Sequence, residues 1–238
     1  MMPTVEEQQF VSIRGCLYTA AQFTSRNLVA GDYLEFGVWE GDSFVKSYHA
    51  ISSLRRQHFE GNSKRSAPKD SGASSPEYQL WRDTKPRFFA FDSFAGLPKS
   101  GERQIEEDWV EGAYGCSEVQ FRKNIVSEGV LLSDVILVPG FYDKSLNEAV
   151  KKKYQLRRAA IVHIDCDLYE STILALTFVT DLLGQGSMLI FDDWYYNQGR
   201  TDLGEPGACR EWLERNPSLE LIPYWQDVHA ASFIVNLK

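Results

Sequence analysis

The chain has 238 residues and a formal net charge of -8. This length suits one domain with a sizeable core, and the acidic balance argues against a large phosphate-binding surface for nucleic acid. No apolar run approaches the ~20 residues of a membrane span, and residues 1–10 lack the pattern of a secretory signal. Four scattered cysteines without CxxC spacing indicate reduced thiols in a cytoplasmic protein. We therefore expect a single domain over residues 1–238, without nucleic-acid or membrane partners.

The N-terminal part of the chain is predicted to form a helix, a strand, a turn and a second helix. Apolar residues recur at helical spacing from Val5 to Val29, and Gly31 follows them. A strand at 33–37 (YLEFG) leads through a Gly-containing turn at 38–41 into a helix at 42–56. These are the parts of a nucleotide-binding unit, because the helix N-terminus offers free amides and Gly lets the backbone approach a ligand closely.

The composition changes between about residues 57 and 86. This stretch is rich in Ser, Gly, Pro and charged residues and contains few large apolar ones. Such a composition cannot sustain a core, so we predict a mobile surface insertion whose centre, about 61–76, is dispensable for folding. Tyr78, Leu80 and Trp81 are expected to anchor its far end.

The rest of the chain alternates strands and helices. A strand at 87–91 ends at Asp92, and a loop at 93–115 follows, with an acidic run at 106–108. Further strands are predicted at 135–138, 161–164, 188–191, 219–225 and 231–237, and further helices at 118–128, 144–153, 170–183 and 206–215. The short connection around Asp227 makes the last two strands antiparallel. This pattern predicts an α/β fold, a three-layer doubly wound sheet of Rossmann-like type with a C-terminal antiparallel hairpin.

Two of the predicted strands run directly into acidic residues. The stretch IVHIDCD ends in Asp165 and Asp167, and MLIFDD ends in Asp192 and Asp193. Ligands bind beyond the carboxyl ends of parallel strands, and carboxylates crowded there repel one another unless protons or a cation intervene. Any one of these acids could simply cap a helix, but two strand ends with the same design favour Mg2+, Mn2+ or Ca2+. His163 lies one step deeper, where a satisfied core histidine is the simpler interpretation.

The Gly turn after the first strand has the form E-x-G-x-x-x-G rather than GxGxxG. The carboxylate of Glu35 would be unfavourable near a pyrophosphate, but it could accept hydrogen bonds from a hydroxyl-bearing ligand. Together with Asp92 at the end of the next strand, it points to S-adenosylmethionine, whose ribose diol needs an acidic acceptor. An ordinary strand, turn and helix without a ligand is the alternative interpretation.

Four strings in this order, EFGVWEGDSF, FAFDSFAGLP, HIDCDLYEST and FDDW, resemble the macrocin and mycinamicin O-methyltransferase family, which includes the novobiocin sugar methyltransferase. The resemblance runs from about Tyr33 to the C-terminus, apart from the insertion. It implies a class I methyltransferase fold, S-adenosylmethionine as the methyl donor, and Mg2+-dependent methylation of a hydroxyl, often on a deoxysugar of a natural product.

Mapped by motif, the resemblance implies Asp165, Asp192 and Asp193 as the Mg2+ ligands and Asp167 as the general base. The positions that it places around the cofactor are Glu35, Gly37, Trp39, Gly41, Ser43, Asp92 and Ser93. The chain departs from the family pattern at Glu40 and Asp42, where a basic and a small residue are usual. These two extra acids could alter the affinity for the cofactor.

The sequence therefore predicts an S-adenosylmethionine- and Mg2+-dependent O-methyltransferase acting on a small-molecule acceptor, a sugar or another natural product. A non-catalytic S-adenosylmethionine-binding domain and a nicotinamide-dependent oxidoreductase stay open as alternatives, the latter disfavoured by Glu35 and the missing GxGxxG. A third alternative keeps the fold but changes the reaction, as in the related cephalosporin-biosynthesis proteins. Aromatic residues at 109, 114 and 194–196 are candidates for an acceptor pocket. The sequence neither names the acceptor nor decides whether the chain forms a homo-oligomer.

Overall fold

The computed structural model describes residues 5–64 and 75–238, with side chains described for 15–59 and 75–238. The strands are β1 (Asp32–Phe36), β2 (Phe88–Asp92), β3 (Val135–Pro139), β4 (Ala159–Ile164), β5 (Leu183–Phe191), β6 (Leu219–Gln226) and β7 (Ala231–Leu237). The α-helices are α1 (Val5–Arg26), α2 (Asp42–Lys64), α3 (Pro76–Asp83), α4 (Glu118–Ser127), α5 (Tyr142–Ser145), α6 (Glu148–Tyr154), α7 (Tyr169–Val179) and α8 (Gly204–Arg215).

The seven strands form one sheet in the order β3-β2-β1-β4-β5-β7-β6. The first five strands are parallel, whereas β7 pairs antiparallel with both β5 and β6. The strand order reverses between β1 and β4, the point at which open α/β sheets bind ligands. The predicted doubly wound α/β fold with a C-terminal antiparallel hairpin is confirmed.

The core lies on both faces of the sheet, which makes the fold three layers deep. On one face, Phe36 and Leu189 of the strands pack with Trp212 of α8 in one buried cluster. On the other face, Ile190 belongs to a second cluster together with Phe44 of α2. The central strands are therefore buried on both sides, which explains why they read as continuous apolar runs rather than alternating ones.

The segment predicted as an irregular insertion is helical at both ends. Helix α2 continues to Lys64, beyond its predicted end at residue 56, and α3 covers Pro76–Asp83. The prediction of irregular structure over 57–86 is therefore wrong for 57–64 and 76–83. Residues 65–74 lie outside the described residues, so the mobility and dispensability expected for 61–76 stay predictions.

A cluster around Trp81 explains why both helices form. The Trp81 side chain is buried, its ring lies 5.5 Å from that of Phe59 and 4.7 Å from that of His58, and the Arg55 guanidinium lies 4.4 Å from its ring centroid. Arg55 also donates a hydrogen bond to the Trp81 carbonyl over 2.7 Å. Trp81 thus anchors the segment as predicted, whereas Leu80 is half exposed. The overall composition of 57–86 is polar, so it gave no sign that the few aromatic residues at its two ends pack together.

Besides α2, three predicted helices differ from the structure by more than two residues or by a break. Helix α1 ends at Arg26 rather than at residue 29, and the region predicted as one helix over 144–153 forms α5 and α6. The break occurs because Asn147 caps α6, its Oδ1 accepting from Val150 N over 3.2 Å. Gly184 and Gly186 do not end α7 as predicted but lie within β5, which begins at Leu183.

The four cysteines, Cys16, Cys116, Cys166 and Cys209, are all free and buried in the structure. Burial raises the pKa of Cys16 to about 12, which makes its thiolate scarce at neutral pH. Within the described residues, none of the helices combines the length and the apolar character needed to cross a membrane.

Candidate functional site

The carboxyl ends of the central strands are joined by backbone hydrogen bonds that continue past the strands themselves. Asp165 N donates to the Phe36 carbonyl over 2.9 Å, and Asp192 N donates to the Ile164 carbonyl over 3.0 Å. Because of these bonds, the chain segments that leave β1, β4 and β5 start at one edge of the sheet. A cavity of about 640 Å³ opens at this edge.

The Gly turn after β1 packs directly against the end of β4. Gly37 has φ +87, and a Cβ at this position would lie only 1.7 Å from the Asp165 carbonyl oxygen, so only glycine fits. Gly41 N closes the turn by donating to the Val38 carbonyl over 2.7 Å. Between them, Trp39 has φ 38 and leaves half of its side chain exposed. A left-handed, exposed Trp is a strained arrangement of the kind that clusters at binding sites.

Asp92, at the end of β2, fastens this turn to the neighbouring strand. Its Oδ2 accepts from Val38 N over 2.9 Å and from Trp39 N over 3.3 Å, and its Oδ1 accepts from Phe94 N over 2.7 Å. Burial raises the pKa of Asp92, although these backbone hydrogen bonds oppose the rise. The carboxylate still lines the cavity, so it holds the turn and also faces the space where a ligand would bind.

Glu35 lies beneath the turn and does not line the cavity. It is fully buried, and its carboxylate accepts from the Ser43 hydroxyl over 2.5 Å and from the Tyr33 hydroxyl. Tyr33 and Glu35 are two residues apart on one strand, so both face the layer that contains α2. In this structure Glu35 therefore hydrogen-bonds within the protein, and its contact with a cofactor stays a prediction. The other positions predicted around the cofactor all line the cavity: Gly37, Trp39, Gly41, Ser43, Asp92 and Ser93.

The four acids that follow β4 and β5 line the same cavity, as the strand pattern predicts. Burial is the first cause that raises the pKa of Asp165 and Asp193 well above the ordinary carboxyl range, and neighbouring carboxylates raise it further. Burial likewise raises the pKa of Asp167 to about 7. Asp167 also has φ 61, in the left-handed region. The cluster thus holds less negative charge at neutral pH than four separate carboxylates would.

A fifth acid, Glu205 at the start of α8, belongs to this cluster and was missed by the sequence analysis. It is fully buried, and its Oε2 accepts from Asp193 N over 3.0 Å. Its Oε1 and the Oδ2 of Asp193 are buried without a hydrogen-bond partner in the structure. Glu205 precedes Pro206, the predicted start of the helix, and an acid at that position is common in the first turn of a helix. The sequence therefore offered no reason to single it out, and only the packing of α8 places it next to Asp193.

The His163 side chain lies between Glu35, beneath the Gly turn, and Asp192, one of the cavity acids. Its side chain is fully buried, with Nδ1 3.8 Å from a Glu35 oxygen and Nε2 3.8 Å from an Asp192 oxygen. Burial lowers the pKa of His163, but the carboxylates of Asp192 and Glu35 outweigh this and hold the pKa well above its ordinary value. The histidine is buried as predicted, but it is not a satisfied core residue, because its Nε2 has no hydrogen-bond partner in the structure.

Two sets of residues could hold a cation here. Ligand atoms of Glu35, His163 and Asp165 lie within 4.8 Å of one another, but only Asp165 of these lines the cavity. The predicted ligands Asp165, Asp192 and Asp193 all line the cavity, without forming so compact a group. Mg2+ prefers oxygen ligands and retains several waters, so the second set and the partnerless Asp193 oxygen suit it better.

A long connection after β2, which we name the strap (residues 99–114), runs beside the cavity and is fixed at several points. Gly204 N donates to the Arg103 carbonyl over 2.9 Å, and the Arg103 guanidinium pairs with Glu211 over 3.0 Å. The same guanidinium lies 4.3 Å from the ring centroid of Tyr169. These contacts tie the first part of the strap to α7 and α8.

Asn197 fixes the middle of the strap. Its side-chain oxygen accepts from Ile105 N over 2.8 Å, and its backbone N donates to a Glu106 carboxylate oxygen over 2.8 Å. The residue is fully buried and has φ 56, a conformation that Asn tolerates better than most residues. Asn197 carried no sequence signal, because its partners lie about ninety residues earlier in the chain.

Aromatic side chains form part of the cavity lining. The rings of Trp39 and Tyr114 lie 5.7 Å apart and nearly perpendicular, and those of Trp109 and Tyr196 also lie 5.7 Å apart. Trp109 is buried and lines the cavity. The prediction that residues 194 and 195 line the pocket is wrong. Trp194 packs on Phe191 and Phe233 of the sheet, and the Tyr195 hydroxyl donates to Gln226.

The chain also matches the profile of a known family. The macrocin-O-methyltransferase (TylF) profile covers residues 79–203, more than half of the chain. The chain belongs to this family. The matched range includes Asp92, Ser93 and the four acids after β4 and β5, whereas the Gly turn after β1 precedes it. The resemblance inferred from the four sequence strings is thereby confirmed.

Two curated proteins that are similar to this chain are named as O-methyltransferases. The chain is 28% identical over 172 residues to 8-demethyl-8-(2,3-dimethoxy-alpha-L-rhamnosyl)-tetracenomycin-C 4'-O-methyltransferase of Streptomyces olivaceus, covering 70% of this chain and 54% of that protein. It is 26% identical over 175 residues to demethyldecarbamoylnovobiocin O-methyltransferase of Streptomyces niveus, covering 71% and 54%. The chain therefore spans about half the length of the curated relatives that it matches.

Among solved structures, the O-methyltransferase NovP superposes with a TM-score of 0.65 at 21% identity, covering 93% of this chain and 78% of NovP. At this level of identity, the likeness establishes the fold. Together with the sheet order, it confirms the predicted class I methyltransferase architecture.

Proposed function

We propose that this chain is an S-adenosylmethionine-dependent O-methyltransferase that methylates a hydroxyl of a small molecule, a sugar or another natural product, with the help of a divalent cation. The observation that carries the proposal is one cavity lined on one side by the Gly turn after β1 and on the other by the acids after β4 and β5. Membership of the macrocin-O-methyltransferase family supports the same reaction.

The chemistry of the cavity lining favours S-adenosylmethionine over a nicotinamide dinucleotide. The turn after β1 is flanked by Asp42 and Asp92, both of which line the cavity. A pyrophosphate placed between these carboxylates would be repelled, whereas a sulfonium and a ribose diol are attracted or accepted by them. We assign the cofactor to Gly37, Trp39, Gly41, Ser43, Asp92 and Ser93, with Glu35 supporting the turn from below.

The acids suit Mg2+, and we assign Asp165, Asp192 and Asp193 as its ligands. Asp193 supports this assignment, because one of its carboxylate oxygens is buried and lacks a partner. Burial, and then the neighbouring carboxylates, raise the pKa of Asp165 and Asp193, and a hard cation would favour their charged forms. When bound, the cation would act as a Lewis acid that lowers the pKa of the acceptor hydroxyl.

Asp167 is our candidate for the group that takes the acceptor proton. It lines the cavity beside the proposed ligands, and burial raises its pKa to about 7 in the metal-free protein, so it is more basic there than an ordinary carboxylate. When bound, S-adenosylmethionine would supply the methyl group to the acceptor oxygen, and its sulfur would keep the electron pair of the broken bond as a thioether. Asp167 would take the hydroxyl proton.

The strap has a positioning and shielding role in this proposal. Its Trp109 and Tyr114 line the cavity together with Trp39 and Tyr196, and such rings can stack on a sugar or aromatic face while excluding water. Holding the acceptor in line with the methyl group could supply ~7–11 kcal/mol of the barrier reduction.

Two measurements test the proposal. Calorimetry should detect binding of S-adenosylmethionine and of its demethylated product, with a nicotinamide dinucleotide as the control. A screen of glycosylated natural products with S-adenosylmethionine labelled in its methyl group should then transfer the label in the presence of Mg2+. Binding of the dinucleotide alone would favour an oxidoreductase, and cofactor binding without any transfer would favour a non-catalytic domain.

A further inference from the structure

The proposed cofactor ends in an amino acid whose α-carboxylate carries a negative charge. Bringing such a charge into a partly enclosed cavity is costly unless the charge is paired and hydrogen-bonded. The lining must therefore supply a cation or several available donors to this group. None of the residues assigned to the cofactor is basic, so the donors would have to come from the Gly turn, from the serines beside it, or from a residue not yet assigned.

The backbone donors of the Gly turn are already used within the protein. The amides of Gly37 and Gly41 donate to backbone carbonyls over 2.9 and 2.7 Å. The amides of Val38 and Trp39 donate to the Asp92 carboxylate over 2.9 and 3.3 Å. These bonds fix the shape of the turn, and a carboxylate could recruit the same amides only by breaking them.

The two serines expected around the cofactor are used in the same way. The Ser43 hydroxyl donates to the Glu35 carboxylate over 2.5 Å, and the Ser93 hydroxyl donates to the Gly96 carbonyl over 2.7 Å. A hydroxyl has a single proton to donate but can accept further bonds. In this arrangement both serines suit the amine of the cofactor's amino acid and not its carboxylate.

Lys46 places a positive charge at this part of the cavity. Among the described residues that line the cavity, only Lys46 and Lys99 are basic. Lys46 lies three residues after Ser43 on the same face of α2, and 12% of its side chain is exposed. Its ammonium pairs with Asp42, the first residue of α2. The tip of the side chain therefore points back to the N-terminus of the helix, beside the Gly turn, where the helix dipole also favours an anion.

We propose that Lys46 binds the α-carboxylate of S-adenosylmethionine and so selects the cofactor by its amino acid end. This inference rests on the proposed function and adds a residue to its cofactor site. The ion pair with Asp42 does not prevent this role, because an ammonium has three protons to donate and can bond two carboxylates at once. The side chain of Asp42 is also mostly exposed, so water screens its attraction for Lys46.

The test combines two lysine variants with two ligands. S-adenosylhomocysteine carries the amino acid, and its decarboxylated analogue lacks only the carboxylate. We expect Lys46→Met to bind S-adenosylhomocysteine ~10–100-fold more weakly than the wild-type protein, the effect of losing a hydrogen bond between charged groups. It should bind the decarboxylated analogue at least as tightly as the wild type does. Lys99→Met, the matched change at the exposed lysine of the strap, should leave the binding of both ligands unchanged.

Calorimetry in chelator provides the readout, and thermal melts show whether each variant is folded. Lys46→Arg keeps the charge and should retain most of the affinity for S-adenosylhomocysteine; Lys46→Gln gives the same comparison if Lys46→Met does not fold.

Three results would overturn the inference: equal weakening of both ligands by the Lys46 variant, equal losses in the two lysine variants, or wild-type protein that binds the decarboxylated analogue as tightly as S-adenosylhomocysteine. In each of them the wild type still binds S-adenosylhomocysteine, so the proposed function stands. Wild-type protein that binds neither ligand would contradict the proposed function itself, and the inference with it.

Discussion

Asp167 combines an unusual backbone with an unusual side-chain environment. Its φ of 61 lies in the left-handed region, and burial raises the pKa of its carboxyl from 3.8 to about 7. A carboxyl with this pKa is partly deprotonated at neutral pH and still basic enough to accept a proton. Asn tolerates the same backbone conformation, so Asp167→Asn removes the proposed base with little disturbance of the chain.

We therefore predict that Asp167→Asn lowers turnover by ~10²–10⁴-fold while the Mg2+ concentration needed for half-maximal activity stays nearly unchanged. Asp165→Asn or Asp192→Asn should instead shift activity to higher Mg2+ concentrations, because each removes a proposed ligand. The measurement is methyl transfer against Mg2+ concentration for each variant, with a chelator as the control. An Asp167→Asn protein with normal turnover would leave the base unassigned, and full activity in chelator would remove the metal from the reaction.

At the scale of single residues, the sequence predicted the acids of the cavity well and their supporting partners poorly. Asp165, Asp167, Asp192 and Asp193 follow apolar strands directly, so their meeting follows from strand topology alone. The burial of Glu35 depends on which face of β1 is covered by α2. Glu205 reaches Asp193 through the packing of α8, and packing between distant elements is not encoded in a local pattern.

The Gly turn after β1 offers a direct test of how closely two strand ends approach. Gly37 and Gly112 have nearly the same φ, +87 and +84, but a Cβ at Gly37 would lie 1.7 Å from a carbonyl oxygen whereas a Cβ at Gly112 meets nothing within 4 Å. Gly112→Ala should therefore pay only the conformational cost, ~1–2 kcal/mol. Gly37→Ala must also push β1 and β4 apart, so we expect a larger loss of stability and loss of cofactor binding.

Thermal melts and calorimetry with S-adenosylhomocysteine would compare the two Gly variants. Similar melting temperatures for both would mean that the end of β1 relaxes more easily than its packing indicates. If a folded Gly37→Ala protein bound the cofactor normally, the Gly turn would not be part of the cofactor-binding site.

At the scale of helices and strands, the Trp81 cluster leads to a second prediction. Trp81 is buried between Arg55 and Phe59, whereas the adjacent Leu80 is half exposed. Trp81→Ala should destabilise the protein by ~3–5 kcal/mol, and Leu80→Ala should cost far less. Urea unfolding of both variants measures the difference. A loss for Trp81→Ala as small as that for Leu80→Ala would show that α3 contributes little to the folded state.

Helices and strands were predicted correctly where the hydrophobic periodicity of the sequence is strong. They were missed where contacts with distant parts of the chain determine the local structure. Composition alone argued against structure around residue 60, yet α2 continues there because its side chains pack on Trp81. Gly184 and Gly186 follow α7 and look like helix terminators, but the residues on either side of them, Leu183 and Met188, pair with β4, so the stretch belongs to β5. Such long-range partners carry no local signal.

Over the whole molecule, the buried acids link stability to pH. The folded-state pKa of Asp167 is about 7, above its ordinary 3.8, and the pKa values of Asp165, Asp193 and Glu205 are also raised. A raised acid pKa means that the native state binds protons more tightly than the unfolded chain does. Its stabilising contribution is complete below about pH 4 and is lost as the pH rises through the folded-state pKa.

We therefore predict that the melting temperature of the metal-free protein falls between about pH 5 and pH 8. Mg2+ should flatten this fall, because a cation bound by the acids favours their charged forms. Asp167→Asn should make the slope shallower even in chelator. Scanning calorimetry across this range tests the prediction, and a melting temperature that rises with pH in chelator would contradict it.

The buried cysteines offer a way to observe where the fold opens. Cys16 lies in α1, Cys116 just beyond the strap, Cys166 between two acids of the cavity, and Cys209 in α8. A thiol reagent can alkylate each of them only when its own surroundings open. The order of modification, read by mass spectrometry, would therefore rank the local opening of four separate regions in the unmodified natural sequence. Repeating it with S-adenosylhomocysteine present would identify which of these regions a bound ligand holds closed.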